Sequence, residues 1–327
     1  MKKLFFITAV LFFAASVCFA QDDIGSKLNR MGQQYTSFYL KPLNYSLSAL
    51  NSGFFDDANV PFSATIPIGF HFKLSFKGFA TFITSDDQVF NMTYVDSITV
   101  NNQMVPGYFT VTNAPTVFGS KTPPIATGYY YDPVTGVRRD TTQETIGGVL
   151  YSKVVPVPMV VPQLEIGHIY GTDITFRGFP KIDFGSLGKI GYFGVALRHN
   201  VSHYFTKIPF DFGVQAGYQN VFVKDKNDAE IVNFKTFFAN VQASKSISIF
   251  IIYGGLQYED YNSDVTYTYS PFGSPYQSNI SYKLRDSYFK GILGGTLTAG
   301  LFRFNLEMSV ARRFMMSFGI GVGQTFN

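Results

Sequence analysis

The sequence has no tryptophan, one cysteine, four histidines and few charges: only 15% of its 327 residues are Asp, Glu, Lys or Arg. Soluble domains average about 25% charged residues, so this chain is short of the side chains that normally face water. The one cysteine, Cys18, lies in an N-terminal leader. A mature chain without it holds no disulfide, cysteine nucleophile or cysteine-ligated metal. Past the leader there is no run of roughly 20 uncharged apolar residues, which excludes a membrane-spanning helix. Also missing are a charge run suited to nucleic acid, a metal-ligand spacing, and any phosphate-loop or nucleotide fingerprint. Lys and Arg number 26 against 22 Asp and Glu; without Lys2 and Lys3 of the leader the balance is 24 to 22, nearly neutral.

Aromatics are plentiful instead, with 36 Phe and 21 Tyr. The first of them sit in the leader, MKKLFFITAVLFFAASVCFA, a short basic start followed by an apolar run and a small-residue cleavage site. It predicts a secretory signal over 1–20, cut after Ala20. Lipidation at Cys18 is the other reading of this segment, opposed by the bulk of Val17.

Residues 21–58 differ in pattern from the rest of the chain. Ile24, Leu28, Met31, Tyr35 and Phe38 recur at helical spacing, and Pro42 is placed to open a second turn carrying Leu43, Leu47 and Leu50, stopped by Gly53. The spacing predicts one or two short amphipathic helices. They either pack beneath a barrel or enter it as a plug.

From 59 to 327 a period of two dominates. In TIPIGFHFKLSFK the even residues from Ile66 to Phe76 are all apolar, with His71, Lys73 and Lys77 among the odd ones. In the last hairpin, Phe302, Phe304, Leu306 and Met308 on one arm, and Phe314, Met316, Phe318, Ile320 and Val322 on the other, share one parity. Side chains alternate across a strand, so each segment has one greasy face and one polar or small face. Export, Phe-rich faces, tyrosines near strand ends and alternating short and long connections together predict an all-β, antiparallel transmembrane barrel in a bacterial outer membrane. About ten strands cross, or 12–14 if the long insertion at about 80–156 adds some. The stretch 259–283 reads as a second long outer connection. The nine apolar residues of the last hairpin are expected to face lipid. Phe326, one residue from the end, suits recognition of the last strand by barrel-assembly machinery.

Several stretches together resemble an uncharacterised family of Gram-negative outer-membrane barrels, distantly similar to long-chain fatty-acid transporter (FadL-type) barrels. They are YLKPLNYSLSALNSGFFDDA (39–58), YGTDITFRGFPKIDFG (170–185), GVALRHNVSHYF (194–205) and FGVQAGYQ (212–219). The resemblance implies the fold, an outer-membrane location and an N-terminal plug; it carries no ligand-binding residue to a matched position.

By parity, the lumen-facing charges are His71, Lys73, Lys77, Glu165, Asp173, Arg177, Arg198, Asp211, Lys235, Lys290, Arg303 and Glu307. They either pair across the interior or line a polar path. His199, Ser202 and His203 are a thin basis for hydrolysis, lacking an acidic partner, and no enzyme, cofactor or metal is expected. Two functions remain: a channel or transporter passing small hydrophobic or amphipathic solutes through the lumen or laterally, or a closed barrel presenting loops to a secretion or surface partner.

Overall fold

The computed structural model describes Leu28 and residues 31–59, 68–149, 159–183, 188–205, 208–270 and 277–326. The expected leader, and Cys18 with it, lies outside these residues. Strand β1 (Ile68–Thr81) leads into β2 (Val89–Val100), β3 (Gln103–Pro115), β4 (Ile125–Tyr131) and β5 (Arg138–Glu144). The chain returns through β6 (Met159–Ile169), β7 (Thr172–Asp183), β8 (Lys189–Asn200), β9 (Asp211–Lys224) and β10 (Glu230–Ile247). It ends with β11 (Phe250–Tyr269), β12 (Ser278–Ala299), β13 (Phe302–Val310) and β14 (Phe314–Phe326). β1 and β6–β14 form a closed ten-strand antiparallel barrel, while β2–β5 form a separate four-stranded sheet.

The insertion therefore adds nothing to the barrel wall. Its last strand, RRDTTQE, shows why: it has no apolar face to offer a hydrocarbon layer. The separate sheet lies over one end of the barrel, where Arg313 of the β13–β14 turn pairs with Asp87. At the same end, Lys181 and Lys189 donate to Asp228 at 2.5 and 2.9 Å and hold its carboxyl down at about 2. The opposite end carries two-residue turns at 170–171, 248–249 and 300–301.

Between the ends runs an apolar belt. Phe76, Phe193, Leu197, Phe237, Val241, Leu256, Phe289 and Leu293 all point outward and are exposed. So do Phe302, Phe304, Leu306, Met308, Phe314, Phe318, Ile320 and Val322 of the last hairpin, with Met316 half-buried among them. Register fixes this parity: Leu306 pairs with Phe318 on one side, and Gly78 of β1 pairs with Phe318 on the other. The Phe318 ring covers Gly78 so closely that a Cβ there would lie 2.1 Å from the ring tip. Tyr170, Tyr204, Phe205, Phe250 and Phe302 ring the short-turn end, as interfacial aromatics do. Phe318→Arg is expected to cost about 2–4 kcal/mol in a bilayer, as charges at mid-belt do. Heat-modifiability on gels after urea titration in lipid measures it; a loss as small as that of an exposed loop substitution would reverse the assigned faces.

Above the belt the outward faces of β10–β12 turn polar, with Asp260, Asn262, Asp264, Lys283 and Arg285, yet strand pairing continues as far as Tyr269 and Ser278. This corrects the expected long connection over 259–283, which shrinks to 270–277. The apolar alternation that marks a membrane strand ends where lipid contact ends, while the backbone ladder runs on into water.

Candidate functional site

The barrel is not hollow. Helix α1 (Gln33–Leu47) keeps Pro42 inside a single helix rather than opening a second one there, and a 3-10 turn at Ser48–Asn51 comes next. The helix packs beneath the outer sheet. Tyr35 meets Phe90 and Tyr94 with ring centroids 5.1 and 5.6 Å apart, and Tyr39 donates to the Gly147 carbonyl at 3.1 Å. Nearby, the Thr36 hydroxyl lies 3.0 Å from the hydroxyls of Tyr267 and Tyr282 on the extended strands. Residues 48–59 then descend through the lumen, from this sheet end to the short-turn end where β1 begins.

Each step of the descent is met by a wall residue. Asn51 donates to Glu259 at 2.9 Å and accepts from Gln219. Ser52 lies 3.2 Å from the Ser309 hydroxyl and accepts from Lys290 at 3.1 Å. The Gly53 N–H donates to Glu307 at 2.9 Å. Gly53 has φ +66°, and a Cβ there would stand 2.7 Å from the Ser317 hydroxyl, so conformation and space both demand glycine. Arg177 donates to the carbonyls of Leu50 and Ser52 at 2.7 and 2.9 Å and to Gln163 at 2.9 and 2.5 Å. Its guanidinium also lies 3.6 Å from the Phe54 ring centroid.

Lower down, Lys73 donates to both Asp56 oxygens at 2.9 Å and pairs with Glu165 at 2.7 Å. Glu165 also takes Arg198 at 2.9 Å and His71 at 3.0 Å, and Arg198 bonds Asp173. Arg198 donates to the Asp57 carbonyl at 2.6 Å, and Ser244 donates to the Asp57 carboxylate at 3.1 Å. Thr296 donates to the Asp56 carbonyl at 2.8 Å, and the Ala58 N–H donates to Ser244 at 2.9 Å. Ring contacts of Phe54 with Phe238 and of Phe55 with Tyr253 fill the space between. The segment is thus an ordered plug, satisfied group by group as buried polar atoms must be.

Of the charges assigned to the lumen by parity, His71, Lys73, Lys77, Glu165, Asp173, Arg177, Arg198, Lys290 and Glu307 lie buried inside. Arg303 is half-exposed, 4.0 Å from Asp57, and Asp211 is half-buried at the start of β9 on the short-turn rim. Lys235 is a correction. β10 turns Phe234 and Phe238 inward and Lys235 outward, above the belt, where it pairs with Asp264 at 3.3 Å. A lysine on that face sits in water, so its outward parity costs nothing. Lys235→Gln is accordingly expected to change stability by under about 0.5 kcal/mol, as surface substitutions do, in the same urea titration.

Inside the lumen, three buried acids went unread in the sequence. Glu259, fully buried and ion-paired with Lys290, fell in the stretch expected to be a loop. Its signal was there: the parity of Leu256 and Tyr258 continues unbroken into QYED. Asp56 and Asp57 belong to the plug, where strand parity gives no guidance; the clue was two adjacent acids with no base nearby.

Two chemical groupings stand in the barrel. Ser202 is tied to the backbone of Phe212, and His199 is bonded to Thr172 at 2.8 Å and Tyr204 at 3.2 Å, so these two are engaged with other partners. His71, Glu165 and Asp173 approach with ligand atoms within 4.8 Å of one another, the spacing of a metal site. Lys73 and Arg198 already occupy those carboxylates and would oppose a divalent ion.

Among solved structures, the translocator domain of the autotransporter NalP from Neisseria meningitidis is similar at 10% identity, covering 90% of this chain and 98% of that one, with a TM-score of 0.28. A loop-deletion mutant of OmpT, an outer membrane protein of Vibrio cholerae, is 12% identical over 79% of this chain and 99% of that one, with a TM-score of 0.25. The Pseudomonas putida toluene transporter TodX is 9% identical over 94% and 98% of the two chains, with a TM-score of 0.20. Likeness at this level carries nothing about function. No curated protein matches the sequence. The model of a family of unknown function, DUF6588, matches residues 1–324, and the chain belongs to that family.

Proposed function

We propose that this protein is an outer-membrane channel, closed at rest by its own residues 48–59, which passes small polar or amphipathic solutes when that segment leaves the lumen. The observation that carries the reading is that a separate stretch of chain runs through the lumen, between the side chains of the wall. Gly213, Ser244, Ser309 and Ser317 are small wall residues that each stand against the plug. A barrel serving only as a rigid stave would fill the same space with larger residues from its strands, as small barrels do. Plug and wall are joined mainly by hydrogen bonds and ion pairs, which water replaces on release far more readily than it replaces apolar packing.

The leader and the belt support the outer-membrane location. Two-residue turns mark the periplasmic side and the four-stranded sheet faces outward, as longer connections do in such barrels. The resemblance to FadL-type barrels, which have an N-terminal plug, supports the same reading. The polar lumen favours amphipathic over wholly hydrophobic solutes, and no catalytic role enters. In liposome-swelling assays, the double variant Asn51→Ala/Glu307→Gln, which loses one plug anchor and the charge of another, is expected to admit small solutes faster than the native protein. Rates for both that equal those of protein-free liposomes would contradict the channel.

A further inference from the structure

The charges of wall and plug do not balance separately. Among the described residues, the wall cations that the plug covers or touches are Lys73, Lys77, Arg177, Arg198, Lys290 and Arg303. The wall acids in the same space are Glu165, Asp173, Glu259 and Glu307. Six against four leaves the wall at +2, counting His71 as neutral. The plug, residues 48–59, carries Asp56 and Asp57 and no base, a charge of −2. The two parts cancel only together. Asp211, half-buried on the short-turn rim, stands outside this set.

The distances are those of a carboxylate site as well as of a charge count. Both Asp56 oxygens receive the Lys73 ammonium at 2.9 Å, and Arg198 stands 3.7 Å away. Such charge-assisted bonds are the strong ones in a protein. Asp57 lies between Arg303 at 4.0 Å and the Ser244 hydroxyl at 3.1 Å. Withdrawing the plug strips Lys73 and Arg198 of Asp56 and leaves them with the wall's Glu165 and Asp173, while the lumen as a whole is left with two cations in excess, in a confined space of reduced dielectric where fields are focused.

We infer that the open lumen selects small anions, carboxylates foremost, and that Asp56 and Asp57 occupy at rest the site the solute's carboxylate takes in passage. This rests on the channel reading and deepens it: the plug is a tethered competitor of the cargo. A carboxylate solute would replace the plug's bonds to Lys73 and Arg198 one for one. A cation or a neutral sugar would not.

Chemical rescue in the full chain tests the site without requiring it to conduct. Asp56→Asn/Asp57→Asn removes both plug charges, and Asp56→Asn alone serves as the milder variant should the double one assemble poorly. In detergent, sodium acetate should raise the unfolding midpoint of the variant by about 2–4 °C more than sodium chloride at equal ionic strength, the shift expected when a bound ligand adds about 1 kcal/mol. The native protein, its site filled by its own plug, should show no such difference. An acetate effect equal in variant and native protein, or absent from both variants, would overturn the inference. In planar bilayers under a salt gradient, openings of the variant should reverse at a potential on the anion side. Cation-selective openings would overturn the anion assignment and leave the channel standing. A complete absence of openings would overturn the channel, with the acetate titration still deciding whether the site takes a carboxylate.

Discussion

Arg177→Met should loosen the plug more than any other single change in the wall. Arg177 is among the largest fully buried side chains and donates to the plug backbone at Leu50 and Ser52, to Gln163, and over the Phe54 ring. Methionine keeps much of the bulk and supplies none of the donors, so two carbonyls of the plug lose their partner in the interior. Each unsatisfied buried group costs about 1–3 kcal/mol, and the variant should lose about 2–4 kcal/mol in all. Because the lost bonds reach segment 48–59 and not the β ladder, the wall should stay intact while the segment becomes cleavable. Limited proteolysis of the protein in lipid vesicles, followed by mass spectrometry, measures this. Cuts between Leu50 and Ala58 in the variant and none in the native protein are expected. A variant as resistant as the native chain would mean that Arg177 fills space and holds nothing.

Lys290→Met should cost still more in overall stability. Lys290 and Glu259 are both fully buried and ion-paired, and Glu259 also accepts from Asn51 and Tyr288 at 2.9 Å each. Removing the ammonium leaves a carboxylate uncompensated in the interior, which costs about 3–5 kcal/mol for a buried pair. The loss should be recovered in large part by Lys290→Met/Glu259→Gln, because the amide has no charge to bury and keeps an oxygen for Asn51 and Tyr288. The pair is therefore a matter of specificity more than of net stability. It fixes the height at which Asn51 docks. Urea titration of the double variant and both single ones closes the double-mutant cycle. Additive losses, with the double variant worse than either single one, would show the two residues acting independently.

The barrel was legible where each strand touches lipid. The alternation from Phe302 to Val322 assigned nine apolar residues of the last hairpin to the outer face, because hydrocarbon rejects polar side chains at every second position. The same logic fails above the belt. There β10–β12 face water on the outside, so Asp260 and Asp264 look like loop residues and Lys235 looks like a lumen charge, although the ladder is unbroken. The plug was harder still. Its helix was visible in the spacing of Leu28, Met31 and Tyr35, but residues 48–59 have no period, because each is matched to a different wall residue far along the chain. Gly53 is the clearest case: it reads as a helix stop, and what requires glycine is the Ser317 hydroxyl more than 260 residues away. Long-range fit of that kind leaves little local trace.

The most direct test is a reversible bolt between plug and wall. The Ser52 and Ser309 hydroxyls lie 3.2 Å apart and buried inside the lumen, and Cys18 is the chain's only cysteine. Ser52→Cys/Ser309→Cys therefore places two nearly isosteric thiols close to bonding distance, with little competing chemistry. Single-channel recording of this variant should be silent when oxidised and should show openings after reduction, in the same membrane and with the same molecules. Openings of equal size and frequency in both redox states would mean that solute passes without moving the plug, and that residues 48–59 do not close the barrel.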